Sequence, residues 1–381
     1  MAASTLAGLI HALAPLLALQ IAPLSTDELM QRRAYGDVVA QLALPADAKP
    51  FDAAHQRLAW QYAFLGRADL AGAVPAARPL AWCGDLTLGA TARDPVAAVL
   101  DAVKSHRVVV INESHIRPET RLLTRALLPR LRALGFTHFA AEAFWADTLV
   151  SDRALRDHIY AGEPVFASMV RDARALGYEL VRYDETGSWK VREEKAAANL
   201  AAVLATMTPD QRLLVHVGHG HVNKLQPNEP NDAPSVTGRL QQQGFDPLAI
   251  NTTCAAPGAA GSVGQIFFDP QGVMRIDPAF RDRVDLFVHA TGPWDGTVPP
   301  ADLARAALGK ARAIPTALLA NELRVVEARR PGESDEIAPH DRILLRPGEN
   351  LPLHLPAGRW VLQSLAHDGT IAARATIEAR D

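Results

Sequence analysis

Hydrophobic and polar positions follow three different patterns along the chain. Over residues 26–94, apolar side chains recur at helical spacing, as in 52–77, where Leu58, Tyr62 and Leu65 share one face and a glycine then interrupts the run. This spacing predicts a helical hairpin of the tetratricopeptide type. A single hairpin cannot bury its own apolar face, so we expect it to pack against the main domain.

Short apolar runs alternate with helical ones over residues 95–312. The short runs are rich in β-branched and aromatic residues, as expected of strands that are buried on both faces. They predict strands at 107–112, 138–142, 179–183, 213–217 and 248–252, with a further strand at 285–289. Helices are predicted at 119–134, 191–207 and 301–311. The alternation predicts an α/β fold, with a mostly parallel sheet that is flanked by helices and connected by right-handed crossovers.

The last stretch, residues 313–381, alternates apolar and polar positions between Pro and Gly residues. Asp368 and Gly369 lie between two apolar runs, which is typical of a β-hairpin turn. We predict a small antiparallel β-module here, and we see no catalytic residues in it.

Composition excludes several classes of protein. Of the 381 residues, 48% are hydrophobic and 21% are charged, which excludes disordered, collagen-like and coiled-coil chains. The net charge of −3, without a block of Lys or Arg, argues against a nucleic-acid partner. Cys83 and Cys254 are the only cysteines, too few for a disulfide scaffold or a Cys-rich zinc module. Whether they pair stays open.

The N-terminus fits two interpretations. Residues 6–24 are apolar enough for the core of a signal peptide, although no Lys or Arg precedes them and Pro follows both Ala14 and Ala22. We therefore treat 1–25 as a signal peptide or an apolar N-terminal helix, and we predict export to the periplasm or the medium, with a cytoplasmic location as the alternative. No later segment is long and apolar enough to span a membrane.

Ionisable residues follow four consecutive predicted strands at the point where each strand ends. These strand ends are Asn112-Glu113-Ser114-His115, Glu142, Asp184-Glu185 and Gly218-His219-Gly220-His221. The carboxyl ends of parallel strands lie at one edge of a sheet, where open α/β sheets bind their ligands. We therefore expect these side chains to converge on one cleft. Common catalytic signatures such as G-x-S-x-G, the P-loop and H-E-x-x-H are absent.

These residue types support two kinds of chemistry. A histidine beside a carboxylate can act as a general base, and histidines with glutamates can also bind a divalent metal ion. The residues predicted to be catalytic are Glu113, His115, Glu142, His219 and His221, and the candidate metal ligands are His115, His219, His221 and Glu113. The residues predicted to bind substrate are Arg121, Asp184 and Glu185.

Several of these residues also have simpler explanations. Arg121 could pair with Glu142 instead of a substrate. A cap for the following helix explains one of Asp184 and Glu185, and a charged helix start explains Arg192 together with the two glutamates after it. We interpret His216, within a strand, as a core histidine. We expect a helix to begin just after His115, and the dipole at its N-terminus should favour the neutral imidazole.

The same residues resemble a known superfamily, which groups erythromycin esterases, ChaN-like haem-binding lipoproteins and TIKI-type proteases. The resemblance spans about residues 105–225 and is carried by the segments INESHIRPETR, FAAEAF, REEKAAANL and VHVGHGHVNK. Glu113, His115, Glu142 and one of His219 and His221 match its motif positions, and an Asn precedes the first of them where the family usually has Gly.

The resemblance implies a hydrolase that activates water against an ester, lactone or amide of a small-molecule or peptide substrate. Its alternative is a ChaN-like protein in which the histidines bind haem or iron. The cofactor is unknown, with a divalent metal ion and haem as the two candidates. A third interpretation is a non-catalytic protein that binds partners through its helical segment and β-module.

Overall fold

The computed structural model describes residues 24–43, 53–74, 84–144, 155–156, 158–225, 234–256, 263–291 and 304–381. Within these ranges, no helix has the length and hydropathy needed to cross a membrane. The predicted signal peptide or apolar helix at 1–25 lies almost entirely outside them. Cys254 is disulfide-bonded, and Cys83 lies outside the described residues.

Nine α-helices and fourteen strands lie in the described residues. The helices are α1 (Thr26–Gln31), α2 (Tyr35–Gln41), α3 (Ala53–Phe64), α4 (Ala68–Ala73), α5 (Pro95–Ala102), α6 (Leu122–Ala133), α7 (Pro164–Ala175), α8 (Trp189–Thr206) and α9 (Val236–Gln242). The strands are β1 (Thr91–Arg93), β2 (Val108–Glu113), β3 (Phe136–Ala141), β4 (Glu179–Val181), β5 (Arg212–Gly218), β6 (Pro247–Ala256), β7 (Ile266–Phe268), β8 (Leu286–Thr291), β9 (Lys310–Arg312), β10 (Arg324–Arg329), β11 (Asp341–Leu345), β12 (Leu353–Leu355), β13 (Gly358–Leu365) and β14 (Ile371–Ala379).

A six-stranded parallel sheet with the order β4-β3-β5-β2-β6-β8 forms the centre of the α/β part. Alternate side chains of β2 enter two different cores: Val109 and Ile111 pack on the side of α6 and α7, and Val108 and Val110 pack on the side of α8. This burial on both faces explains the continuous apolar runs in the sequence. The predicted α/β fold, with a mostly parallel sheet flanked by helices, is confirmed.

One predicted helix is wrong. In the described part of 301–311 the chain forms a short 3₁₀ turn, Arg305–Leu308, and then strand β9. Gly309 separates them with a φ of 154°, and a Cβ there would lie 2.2 Å from the backbone of Leu355. A helix cannot continue through this conformation, which favours glycine.

The C-terminal residues form the small antiparallel module that the sequence predicts. Its main sheet has the order β11-β10-β13-β14, and β9 pairs with β12 beside it. Trp360, which is fully buried, lies in its core. The hairpin predicted at Asp368 and Gly369 joins β13 to β14, and Gly369 has a φ of 87°. The predicted domain boundaries themselves stay predictions.

The N-terminal helices pack mainly against the C-terminal module. Tyr35, Phe64 and Leu65 share one apolar cluster with Val325 and Leu344 of the module. The predicted packing against the α/β domain accounts for only part of these contacts. One such contact is made by Trp60 on α3, whose ring meets that of His115. The pattern of apolar positions on a helix shows which face is buried, but not which element covers it.

A buried ionic cluster joins these parts of the chain. Glu327 on β10 is fully buried and forms ion pairs with Arg33, Arg329 and Arg342. Arg342 also donates hydrogen bonds to the carbonyl oxygen of Gly162, at 3.3 Å, and to that of a residue on α3. A single carboxylate therefore contacts three guanidinium groups, one from the N-terminal segment and two from strands of the module.

Replacing Glu327 with glutamine should lower the free energy of unfolding by about 3–5 kcal/mol, because it leaves buried guanidinium groups without their counter-charge. Burial alone would raise the pKa of Glu327, but the arginines outweigh burial and hold that pKa well below 4.5. The stabilisation is therefore present above pH 4.5 and is lost as the pH falls towards the folded-state pKa.

Urea unfolding at several pH values measures this effect. Glu378→Gln, at an exposed position on β14, is the matched control and should change the free energy of unfolding by less than about 0.5 kcal/mol. Equal stability of the two variants at neutral pH would contradict the prediction.

Candidate active site

The ionisable residues that follow four parallel strands meet at the carboxyl edge of the sheet. The Nε2 atoms of His115 and His221 each lie 3.8 Å from the same oxygen, Oε1 of Glu142. The ring centroid of His219 lies 5.3 Å from that of His115. The structure thus brings together the residues predicted to be catalytic, with Glu142 between two imidazoles.

Glu113, the last residue of β2, orients His115. Its Oε1 contacts Nδ1 of His115, and its Oε2 accepts a hydrogen bond from Nε of Arg121 at 2.7 Å. Arg121 also donates to Glu163 at 2.6 Å, and Glu163 caps α7 by accepting from the backbone N–H of Phe166 at 2.9 Å. A chain of buried ion pairs therefore holds the ring of His115 through its Nδ1 atom.

Arg121, predicted to bind substrate, forms ion pairs within the protein. Its guanidinium is fully buried, pairs with Glu113 and Glu163, and also donates to the carbonyl oxygen of His115 at 3.3 Å. It does not pair with Glu142. Arg192 on α8 does so instead, because its Nη2 donates to Oε1 of Glu142 at 2.6 Å.

The helix expected to begin just after His115 begins later in the chain. The residues after His115 form a 3₁₀ turn, Pro118–Arg121, and α6 begins only at Leu122, so no α-helix dipole acts directly on the ring. Burial alone would lower the pKa of His115, but the charges of Glu113 and Glu142 outweigh it and raise that pKa above 6.5.

Glu142 is held as a carboxylate by its surroundings. Its Oε2 accepts a hydrogen bond from the backbone N–H of Gly218 at 2.5 Å, and its Oε1 accepts from Arg192. Burial alone would raise its pKa, but His115, His221 and Arg192 outweigh burial and lower that pKa to about 2. At neutral pH, Glu142 can orient a hydrogen-bond donor but is a weak base.

Asp184 and Glu185, both predicted to bind substrate, lie on one side of Glu142. Asp184 is buried and accepts two hydrogen bonds from Arg192, at 2.8 and 2.9 Å. Glu185 is partly exposed, and together with Asp184, Arg192 and Tyr160 it lines a cavity of about 300 Å³ beside Glu142. Asp184 thus holds Arg192 in place, and the substrate-binding role of Glu185 stays a prediction.

His219 and His221 differ although they share one turn after β5. His221 is buried, its Nδ1 lies 2.8 Å from Oε1 of Glu193, and its ring stacks on Trp189 with centroids 4.7 Å apart. His219 is the more exposed of the two, and partial desolvation of its ring together with the charge of His115 lowers its pKa.

Backbone strain marks two of these strand ends. Ala143, directly after Glu142, has a φ of 75°, and His219 has a φ of 31°, both in the left-handed region. The side-chain amide of Asn112 donates to the carbonyl oxygen of His219 at 2.8 Å and thereby supports its turn. Asn112 therefore supports the backbone of the turn that carries His219.

Sequence reasoning missed the aromatic wall of the site. Tyr160 stacks on the ring of His115 at a centroid distance of 4.2 Å, and Trp60 on α3 meets both rings edge-on, at 5.8 Å from His115 and 5.3 Å from Tyr160. Trp60 belongs to a helical pattern that also suits a core residue, and Tyr160 lies in a segment without periodicity. No local signal links either residue to the strand ends.

Sequence reasoning also missed Glu193, although its position on the apolar face of α8 is a signal that it is buried. Glu193, Ala196 and Leu200 are spaced three and four residues apart and share the buried face of α8. An acid on an apolar helix face requires a buried partner. His216, interpreted as a core histidine, is buried within β5, with Nδ1 3.0 Å from the hydroxyl of Thr124.

The predicted metal ligands do not form a metal site as placed. Among the described residues, no group of three or more His, Cys, Asp or Glu side chains is arranged to hold a metal ion. Each Nδ1 atom of His115 and His221 is held by a carboxylate, and both Nε2 atoms face a carboxylate that is already bound by Arg192.

Comparisons with known proteins give only weak similarity. No family model and no curated protein sequence matches the chain. Two structures described as bacterial protein toxins are each 16% identical with a TM-score of 0.31, and cover 59% and 67% of this chain. The RRSP effector domain of a MARTX toxin from Vibrio vulnificus is 15% identical with a TM-score of 0.29, and covers 68%.

The alignments cover 56%, 59% and 58% of those three chains, less than two thirds in each case. At these TM-scores the similarity supports no conclusion about the fold or the function of this chain.

Proposed function

We propose that the protein is a hydrolase in which a water molecule between His115 and Glu142 attacks an ester, lactone or amide carbonyl. The observation that supports this most is the arrangement of His115, with Nδ1 on a buried carboxylate and Nε2 facing Glu142 across a gap of 3.8 Å. That gap is too long for a direct hydrogen bond, and a water oxygen fits within about 2.8 Å of both atoms.

Glu113 determines which nitrogen of His115 can accept a proton. In the neutral ring, Nδ1–H donates to Glu113 and leaves the lone pair on Nε2 directed at the water. When the water oxygen bonds to the carbonyl carbon, its proton passes to Nε2, and Glu113 stabilises the imidazolium that forms. Glu142 accepts the second hydrogen of the water and orients it.

The rate should rise with pH through a pKa above 6.5, because only the neutral ring of His115 is a base and its pKa is raised above that value. The measurement is kcat/KM from about pH 5 to pH 10. In Glu113→Gln the rise should occur at lower pH, because one of the two carboxylates that raise the pKa is lost. A profile without a rising limb at the acidic end of this range would contradict His115 as the base.

A chelator should leave the activity unchanged, because the described side chains do not form a metal site. The test is a screen of ester, lactone and peptide substrates, with and without EDTA. A metal-dependent hydrolase would instead lose activity and regain it with added Zn²⁺ or Mn²⁺. Hydrolysis that wild type and His115→Ala carry out equally fast would contradict the proposal.

The proposal includes membership of the erythromycin esterase, ChaN-like and TIKI superfamily, and it keeps export as a prediction. Haem binding is the alternative function, and visible absorption of the purified protein after addition of haem distinguishes the two. A haem protein would show a strong absorption band that His115→Ala weakens. A hydrolase would show none and would turn over a substrate of the screen.

A further inference from the structure

Glu193 on α8 is buried and uses both of its carboxylate oxygens. Oε1 lies 2.8 Å from Nδ1 of His221, and Oε2 accepts a hydrogen bond from the backbone N–H of Val236, the first residue of α9, at 2.6 Å. Its side chain is 1% exposed. The carboxylate is therefore held between two helices and fixes the imidazole of His221, as Glu113 does for His115.

We infer that Glu193 is the positioning residue of a second acid–base pair, in which His221 protonates the leaving group. This inference rests on the proposed hydrolase function. It assigns different tasks to the two histidines: His115 takes the proton of the attacking water, and His221 supplies the proton that the departing oxygen or nitrogen needs.

The two imidazoles face the same carboxylate oxygen, Oε1 of Glu142. Nε2 of His221 lies 3.8 Å from Oε1 of Glu142, the same distance as Nε2 of His115. A carbonyl group attacked by a water on Glu142 would thus have one imidazole near the water and the other within reach of its leaving group. Trp189 stacks on the ring of His221 and is about half exposed, so this pair of rings lies near the surface of the protein.

The charges around His221 favour its protonated form. The groups that face it are Glu193 and Arg192 on α8, Glu142 after β3 and His219 in the same turn. Burial alone would lower the pKa of His221, but the hydrogen bond that its Nδ1–H donates to Glu193 and the charge of Glu142 outweigh burial and raise that pKa. These surroundings therefore favour the imidazolium, the form that can donate a proton from Nε2.

The protons and electrons balance over one turnover. The water oxygen forms a bond to the carbonyl carbon and releases a proton to Nε2 of His115. The bond from that carbon to the leaving atom then breaks, the electron pair stays on the leaving atom, and Nε2 of His221 supplies its proton. The products are a carboxylic acid and an alcohol or amine, and proton exchange with solvent restores both histidines.

The dependence on the leaving group tests this inference. A p-nitrophenyl ester departs without a proton, whereas an alkyl ester or anilide with the same acyl group needs one. We expect Glu193→Ala and His221→Ala to lower kcat/KM by about 10²–10⁴-fold on the alkyl ester or anilide and by only a few-fold on the p-nitrophenyl ester. Glu193→Gln keeps an acceptor for Nδ1–H and should recover part of the loss.

Controls separate this inference from the proposed function. Glu194→Ala, at the exposed neighbouring position on α8, should match wild type on both substrates. His115→Ala should lose activity on both, because the attacking water needs a base whatever group leaves. An equal loss on both substrates in Glu193→Ala would overturn the second pair alone, whereas a fully active His115→Ala would overturn the proposed function.

Discussion

Replacing His115 with alanine should lower the turnover number by about 10²–10⁴-fold, the usual contribution of a general base. The loss follows from the geometry, because Nε2 of His115 is the acceptor that faces the proposed water site beside Glu142. The fold should survive, because the ring lies at the cleft, where it stacks on Tyr160, and outside the apolar clusters of the sheet. Steady-state kinetics together with thermal unfolding measures both effects.

His106→Ala is the matched control for this variant. His106 precedes the other end of the same strand, β2, and its ring contacts the carbonyl oxygen of Asp246 at 3.0 Å. It is therefore at the edge of the sheet opposite the cleft, and its loss should leave kcat unchanged. An unchanged turnover number in His115→Ala would remove the basis of the proposed mechanism.

Replacing Gly218 with alanine should lower kcat/KM by about 10²-fold or more, since a displacement of catalytic groups by about 1 Å can cost that much. A Cβ at Gly218 would lie 2.4 Å from Cε1 of His115 and 2.6 Å from Oε2 of Glu142. Its backbone is extended, with a φ of −82°, so alanine causes no conformational strain there. The methyl group must therefore push the ring and the carboxylate out of place.

Gly220 offers a close control two residues later in the same turn. A Cβ at Gly220 would meet no atom closer than 3.6 Å, an ordinary van der Waals contact. Gly220→Ala should therefore keep most of the activity, measured as kcat/KM on the same substrate. Similar losses in the two variants would indicate that the turn tolerates no side chain for reasons other than contact with His115 and Glu142.

The sheet and the convergence of its strand ends could be predicted because both depend on local patterns. Residues of β2 are buried on both faces, which produces a continuous apolar run, and parallel pairing then brings Glu113, Glu142 and His221 to one edge. Neither step requires knowledge of how the helices pack.

The pairing of charges could not be predicted, because it depends on the side of the sheet that each helix covers. Arg121 is close to His115 in sequence, but one of the two carboxylates that its guanidinium binds, Glu163, is 42 residues further along the chain. Arg192 is fifty residues from Glu142 and still binds it. A charged helix start looks solvated in sequence, and only the packing of α8 shows which of its charges are buried.

Trp60 lies outside the part of the chain that forms the parallel sheet. It lies on α3 and forms part of the wall around His115, and the same hairpin is fastened to the C-terminal module by Arg67, whose Nη1 donates to the carbonyl oxygen of Leu344 at 3.0 Å. A fragment trimmed to residues 84–291 would retain every ionisable side chain of the cleft and would lack this tryptophan together with its anchor. On the proposed function, the smallest active fragment is therefore larger than the sheet, because the β-module supports the helix that forms one side of the cleft.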